Sequence, residues 1–222
     1  MAIRDTIMTT TLHRPICDVL GCTYPIALAG MGGVARSELV AAVTEAGGFG
    51  FLGMVREPVE LIRSEVAALR AREIARFGVN LIPAATDATL LEAQVSACIE
   101  LGVPAIGLFW DVPPKLIARL RTAGIVVVCQ VGSVAEAQTV AQAGAQVLIA
   151  QGVEAGGHVR GDRPLHHLLP EIVAQTTLPV LAAGGLADGA DLAAVLSLGA
   201  QGAVFGTALI ATFESFAHDF HK

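Results

Sequence analysis

The chain has 222 residues, of which 54% are hydrophobic and 15% are charged, and its formal net charge is -6. Such an apolar, charge-poor chain is not intrinsically disordered, and its acidic balance argues against nucleic acid as its main partner. Length and composition leave a deeply buried globular fold of one or two domains, or a membrane protein.

The N-terminal region, residues 1–14, is interpreted as an extension that precedes the folded domain. Arg4 and Asp5 interrupt it, and no continuous apolar core precedes a small-residue cleavage site, so it is not a secretory signal. The cysteines form no Cys-x-x-Cys pair and have no histidines at zinc-ligand spacing, so we predict neither a metal site nor a disulfide framework. Together these features favour a cytoplasmic protein.

From residue 25 onward one pattern recurs, in which a helix-like stretch ends in Gly or Pro and a short apolar run follows. The apolar runs lack the polar alternation of a half-exposed strand, which is typical of a parallel sheet covered on both faces. They predict eight strands, at residues 25–31, 48–53, 77–82, 105–109, 125–130, 146–150, 179–183 and 203–205.

The segments between these strands are mostly amphipathic and predict seven helices, at residues 37–46, 59–75, 89–101, 114–123, 134–143, 165–175 and 190–198. Such consecutive strand–helix units predict an α/β fold, a (β/α)8 TIM barrel that occupies residues 15–222 as one domain. The alternative is an open doubly wound sheet. That fold usually has fewer strands in this length, and residues 30–33 (GMGG) do not fit its G-x-G-x-x-G fingerprint.

Residues 192–213 form an uncharged run that is long enough to span a bilayer. Several glycines and Gln201 divide it, so a helix end followed by a buried strand explains it better than a membrane span. Only residues 208–222 then remain for the last helix of the barrel. Two alternatives follow for that seam: closure is incomplete, or a second copy of the chain completes it in a homo-oligomer.

Glycines follow the last two predicted strands, where TIM barrels often hold a phosphate. Gly184 and Gly185 come after the seventh strand, and Gly206 and Thr207 end the eighth. Glycines let backbone N–H groups approach phosphate oxygens closely, and Thr207 adds a hydroxyl that could also cap a helix. Either segment alone could be a plain turn, but the pair in consecutive units predicts a phosphate site.

The loop after the sixth strand, residues 151–158 (QGVEAGGH), presents one imidazole and one carboxylate. His158 is the best acid–base candidate because histidine titrates near neutrality, the alternative being a surface histidine. Glu154 either fixes the histidine tautomer or accepts backbone N–H groups of the loop, and we favour the second interpretation. His166 and His167 are predicted at the surface of a helix start.

Three amide side chains stand at or near the ends of apolar strands: Asn80, Gln130 and Gln151. A polar side chain in such a run must be hydrogen-bonded, to its neighbours or to a ligand at the strand mouth. Amides suit a neutral polar heterocycle better than an anion or a metal ion. Trp110 and Asp111, at the end of the fourth strand, either line this pocket or belong to the core.

Taken together, residues 25–31 (PIALAGM), 78–80 (GVN), 151–158, 182–185 (AAGG) and 205–207 (FGT) resemble the nitronate monooxygenase family, formerly called 2-nitropropane dioxygenases. The match runs from about residue 15 to residue 218. Its EAGGH segment is quite specific to this family and to its relative, the FMN-dependent enoyl-ACP reductase.

The resemblance implies an FMN-binding barrel in which His158 matches the catalytic histidine. The flavin positions of the family fall on Met31 (through its backbone), Asn80, Gln151, Gly156, Gly185, Val204, Phe205, Gly206 and Thr207. The loop and amide interpretations add Gln130, Gly157 and Gly184 to this set.

The implied reaction is the oxidation of an alkyl nitronate by flavin and then dioxygen, which gives a carbonyl compound and nitrite. Relatives with the same signature instead reduce quinones or enoyl thioesters with NAD(P)H, and a non-catalytic FMN- or phosphate-binding barrel is a further alternative. In each case a small molecule, and neither nucleic acid nor a membrane, is the expected partner.

Two departures from the family pattern stand out. The family usually has glycine two residues after the histidine, where this chain has Arg160, a side chain that could bind an anion such as a nitronate or a phosphate. Family chains also continue beyond residues 214–218 into a small helical domain that covers the flavin. We therefore expect a barrel that lacks this lid, with a more exposed flavin and weaker FMN retention.

Overall fold

The computed structural model describes residues 12–218, and it contains a closed barrel of parallel strands in sequential order. The strands are β1 Ile26–Leu28, β2 Phe49–Gly53, β3 Gly78–Leu81, β4 Ala105–Phe109, β5 Val126–Val131, β6 Val147–Gln151, β7 Val180–Ala183 and β8 Gly202–Phe205. The predicted (β/α)8 architecture is confirmed. Of the predicted N-terminal extension, residues 1–11 lie outside the described part.

Helices alternate with the strands along the chain. They are α1 Pro15–Leu20, α2 Ser37–Glu45, α3 Val59–Ala71, α4 Ala88–Glu100, α5 Pro114–Thr122, α6 Val134–Gln142, α7 Leu165–Gln175 and α8 Gly189–Ser197, with short 3-10 helices at Pro83–Ala85 and Thr207–Leu209. None of the described helices is long and apolar enough to cross a membrane, in agreement with the interpretation of residues 192–213.

The barrel closes directly between its first and last strands. Ile26 pairs with Ala203 and Leu28 pairs with Phe205 in a parallel ladder. The alternative of incomplete closure is therefore wrong, because a backbone ladder between the strands closes the sheet and needs no outer helix. A last helix over residues 208–222 is also absent from the described part, where only a 3-10 turn and bends follow β8 up to residue 218.

Side chains alternate between two cores along each strand, as the period of two in a β-strand requires. One core lies between the sheet and the helices and includes Leu52, Ile106 and Phe205. The other fills the barrel interior and includes Phe51, Val128 and Val204. The described cysteines are all free thiols. Burial raises the pKa of the Cys98 and Cys129 thiols to about 12, which is typical of structural thiols.

Helix α1 closes the N-terminal end of the barrel. Its Ile16, Cys17 and Leu20 pack into the interior core, and the Ile16 N–H donates to Gln201 Oε1 at 3.1 Å. Gly21 ends the helix in the left-handed conformation, with φ of 72°. The sequence analysis missed α1 because six residues are too short to show a helical period. Since this end is filled, a ligand enters the barrel from the C-terminal ends of the strands.

The last described residues pack on the loop that follows β1. The Phe216 N–H donates to the Val34 carbonyl at 3.1 Å, and the Arg36 guanidinium carbon lies 5.4 Å from the Phe216 ring centroid. Arg36 also pairs with Glu57 at 3.0 Å, and this side-chain pair is mostly buried. These contacts bring the loops after β1 and β2 together with the chain that follows β8.

Candidate active site

The C-terminal end of the barrel, which we call the mouth, contains a small cavity between strand ends. Its lining includes Ala29, Gly30 and Gly107 beside the amides of Asn80 and Gln130. Small residues at these positions leave room above the interior core, and the amides supply polar atoms to a surface that is otherwise apolar. Such a combination is typical of small-molecule sites.

Polar atoms of the three amides remain without protein partners in the described structure. Asn80 Nδ2 donates to the Gly30 carbonyl at 3.0 Å, while its Oδ1 accepts no hydrogen bond, and the Gln130 amide makes none. Gln151 is only 6% exposed, and its Nε2 donates to the His158 carbonyl at 2.9 Å. Its buried Oε1 has no donor, which is costly unless a ligand or water supplies one.

The loops after β7 and β8 present backbone donors to the mouth. Among residues 12–218, four N–H groups of these loops donate to no protein acceptor. They belong to Gly184, Gly185, Gly206 and Thr207. Gly184 and Gly185 have φ of 116° and 68°, conformations that L side chains rarely adopt. Thr207 is the first residue of the 3-10 turn and Gly206 is its cap, so Thr207 does not have the capping role considered above.

The loop after β6 lies against these donors. A Cβ on Gly156 would stand 2.4 Å from Thr207 Oγ1, so a larger residue there would have to displace the threonine hydroxyl. Gly157, in contrast, has open space where a side chain would be. The loops after β6, β7 and β8 thus form one continuous rim.

Two further predicted cofactor positions, Met31 and Phe205, have backbone groups that already make hydrogen bonds within the protein. Met31 donates its N–H to the Ala29 carbonyl and accepts from Val34 and Ala35, so its backbone is already engaged and only its side chain faces Gly206.

The Phe205 side chain packs in the core under the helices, because strand alternation points it away from the interior, and its carbonyl accepts from the Ala29 N–H. Contact between Phe205 and the cofactor stays a prediction. Val204, its neighbour, does point into the interior and lines the cavity.

His158 lies at the surface of the mouth, with its ring centroid 6.3 Å from that of Trp110. Glu154 does not contact it; its two carboxylate oxygens accept from the Leu165 N–H at 3.2 and 3.0 Å, at the start of α7. The structural interpretation of Glu154 is therefore confirmed. His166 and His167 are exposed at the start of α7, as predicted.

Arg160 is held by two carboxylates that the sequence analysis did not connect with it. Its Nη2 lies 2.5 Å from Asp111 Oδ1, and its Nε donates to Glu136 Oε1. The hydrogen bond to Glu136 raises the pKa of the Arg160 guanidinium. Both hydrogen-bond partners of the guanidinium within the described residues are carboxylates, and binding of an anion by Arg160 stays a prediction. The sequence signal that points to Glu136 is the S-x-x-E pattern that it forms with Ser133.

The mouth fits a flavin mononucleotide. The unpartnered N–H groups of the β7 and β8 loops suit phosphate oxygens, and the amide atoms without partners suit the donors and acceptors of a polar ring system. A metal ion is a poorer match, because no cluster of three or more His, Cys, Asp or Glu residues within the described part of the chain could bind one.

Comparison with known proteins finds relatives over nearly the whole chain. A family model described as nitronate monooxygenase matches residues 13–222. The chain is 37% identical over 211 residues to (3aS,4S,5R,7aS)-5-hydroxy-7a-methyl-1-oxo-octahydro-1H-indene-4-carboxyl-CoA dehydrogenase of Mycobacterium tuberculosis, a match that covers 94% of this chain and 58% of that protein. The chain thus spans little more than half of that relative's length.

A nitronate monooxygenase of Paraburkholderia phytofirmans is 33% identical over 250 residues, with 92% of this chain and 68% of that protein covered. Among solved structures, FabK from Thermotoga maritima superposes with a TM-score of 0.87 at 35% identity, over 93% of this chain and 65% of that one.

Proposed function

Because the chain belongs to the nitronate monooxygenase family, we propose that it is an FMN-dependent oxidoreductase whose reaction takes place at the barrel mouth. The observation that carries this proposal is the set of polar groups there without protein partners. They are backbone N–H groups on the loops after β7 and β8, and the amides of Asn80 on β3, Gln130 on β5 and Gln151 on β6.

In this proposal the glycine loops hold the cofactor phosphate. Gly184, Gly185, Gly206 and Thr207 would donate to it, and the small residues that line the mouth would face the flavin ring. The amides would orient that ring by its polar edge. When bound, FMN supplies the two-electron oxidation and the subsequent reaction with dioxygen, a chemistry that amino-acid side chains lack.

We propose oxidation of an alkyl nitronate to a carbonyl compound and nitrite as the specific reaction. His158 has its backbone fixed by Gln151, while its ring makes no hydrogen bond to the described residues. A ring nitrogen is therefore available to donate a hydrogen bond to the anionic nitronate or to exchange a proton with it. Its position on the rim would hold the substrate next to the ring site.

A visible spectrum of the purified protein and a thermal scan with added FMN test the cofactor. We expect flavin absorption and a higher melting temperature with FMN, because a ligand that binds only the folded state stabilises it. A protein without flavin absorption and without this thermal shift would contradict the cofactor assignment.

Oxygen consumption with propionate 3-nitronate, beside NADH with a quinone, tests the reaction. We expect His158→Ala to abolish nitronate turnover while FMN stays bound, and His166→Ala, a substitution at an exposed histidine of α7, to leave the rate unchanged. A nitronate rate that persists in His158→Ala removes the histidine from the mechanism. Silence with every substrate, with FMN bound, favours the non-catalytic barrel.

A coenzyme A thioester is the second candidate substrate, and the alignments favour it. The match to the mycobacterial CoA dehydrogenase extends over 211 positions, close to the covered length of this chain, so it contains few gaps. The match to the Paraburkholderia enzyme extends over 250 positions, more than the 222 residues present here, so that relative has insertions. Turnover of a cyclic acyl-CoA with a dye acceptor, or of an enoyl-CoA with NAD(P)H, without nitronate turnover would select this candidate.

A further inference from the structure

Arg160 connects the loops after β4 and β6 with helix α6. It belongs to the loop after β6, its Nη2 pairs with Asp111 of the loop after β4 at 2.5 Å, and its Nε pairs with Glu136 of α6, the helix after β5. Because β5 lies between β4 and β6 in the barrel, the guanidinium bridges over the end of β5. We call Arg160, Asp111 and Glu136 the Arg160 clamp.

The β5 side of the Arg160 clamp is rigid. Glu136 Oε2 accepts from the Gly132 N–H at 2.8 Å, while its other oxygen accepts from Arg160. A Cβ on Gly132 would stand 2.5 Å from the Gly161 nitrogen, so the two loop backbones are in direct contact. One carboxylate thus fixes both the loop after β5 and the arginine that follows His158.

The β4 side carries backbone strain. Trp110 and Asp111 have φ of 67° and 48°, which non-glycine residues rarely adopt and which persist only where surrounding contacts enforce them. The ion pair to Arg160 and the guanidinium carbon 5.8 Å from the Trp110 ring centroid are such contacts. Trp110 in turn stands 6.3 Å from the His158 ring.

We propose that Arg160 is a positioning residue that holds Trp110 and the His158 loop in place over the mouth. Its charge is neutralised by Asp111 and Glu136, so it orders the rim and does not bind the substrate anion. The catalytic consequence rests on the proposed function of His158, whereas the ordering of Trp110 does not.

Trp110 is the single tryptophan of the chain, so its fluorescence reports on the Arg160 clamp without any cofactor. In FMN-free protein we expect Arg160→Gln to raise the acrylamide quenching constant about twofold. The reason is that the Trp110 ring loses the ion-paired guanidinium that covers part of it. Arg160→Lys keeps the charge but loses the planar fork that bonds two carboxylates, so we expect an intermediate value.

Arg163→Gln is the matched control. Arg163 lies on the same loop as Arg160. Its guanidinium pairs with Glu171 at 2.5 and 2.6 Å, and Glu171 belongs to α7 and not to the mouth. We expect this variant to leave Trp110 quenching unchanged. Equal quenching in Arg160→Gln and the wild type, or the same increase in Arg163→Gln, would overturn the proposal.

Turnover gives the second measurement. With the substrate that the wild type oxidises, we expect Arg160→Gln to lower kcat by about tenfold or more while KM changes less than about twofold, since a displaced catalytic group costs rate more than binding. An unchanged kcat together with increased quenching would overturn the link to His158. If the wild type has no activity, the proposed function fails, and the quenching comparison still decides whether Arg160 orders the rim.

Discussion

At the scale of single residues, the Gln151 amide has the most constrained environment in the mouth. Its nitrogen fixes the carbonyl of the His158 loop, and its buried oxygen lacks a protein donor. One side chain therefore both orders the His158 loop and presents an acceptor to whatever occupies the cavity. An apolar residue of similar size could do neither.

We predict that Gln151→Leu raises the Kd for FMN about tenfold, which corresponds to about 1.4 kcal/mol and to the loss of one good hydrogen bond. Fluorescence titration of FMN measures this change. Gln146→Leu is the control, because Gln146 Oε1 accepts from the Val127 N–H at 3.2 Å at the opposite end of the barrel. Similar losses of affinity in both variants would mean that general destabilisation, and not the mouth, is responsible.

The sequence drew attention to Asn80 and Gln151 because a polar residue in or beside an apolar run stands out without any knowledge of the fold. It drew attention to His158 because this titratable side chain lies on a glycine-rich loop, and the roles of all three stay predictions. It could not identify the partners of Arg160, which lie 24 and 49 residues away in the chain. No spacing rule connects residues so far apart, and only the barrel geometry brings their side chains together. The assignments of Met31 and Phe205 to the cofactor rest on the family resemblance and stay predictions.

At the scale of elements, the rim depends on how closely the loops after β6 and β8 approach each other. We predict that Gly156→Ala raises the Kd for FMN by a factor of about three to ten, because the new methyl group must displace the Thr207 hydroxyl. The stability of the protein should change by less than about 1 kcal/mol, since a threonine side chain can rotate.

Gly189→Ala is the comparison for this variant, because no atom lies within 4 Å of the added methyl group. Isothermal titration of each variant with FMN measures both affinities. If Gly156→Ala binds FMN as the wild type does, the two loops do not hold the phosphate together.

Strands and helices were predicted well because hydrophobic runs and helix-ending glycines are local signals. The bounds predicted for β4 and α7 agree with the structure at both ends. Helix α1 was not predicted, because a helix of six residues is too short to show a helical period. Its apolar residues pack inside a barrel whose strands all follow it in the sequence, so no local pattern shows what they contact. The last helix was placed by analogy with the other units, and no local signal supported it.

At the scale of the whole molecule, α1 is the element that completes the interior core. We predict that Ile16→Ala lowers the free energy of unfolding by about 2–5 kcal/mol, the usual range for a fully buried isoleucine, because it leaves a cavity at the N-terminal end. Urea denaturation followed by circular dichroism measures this loss.

Val19→Ala, in the same helix but only partly buried, should cost less than half as much. The FMN affinity of both variants should match the wild type, because the mouth is at the other end of the barrel. Equal costs at the two positions would mean that α1 contributes through its helical structure and not by filling the interior.

The filled N-terminal end of the barrel also has a kinetic consequence. In a barrel with one opening, every organic reactant and product passes through the mouth. A product that occupies the cavity must therefore leave before the next reactant can bind there. Two molecules that occupy the same part of the cavity therefore cannot be bound at the same time, and each competes with the other for the single entrance. The packing of Ile16 beneath the sheet thus limits the order in which events can occur at the mouth.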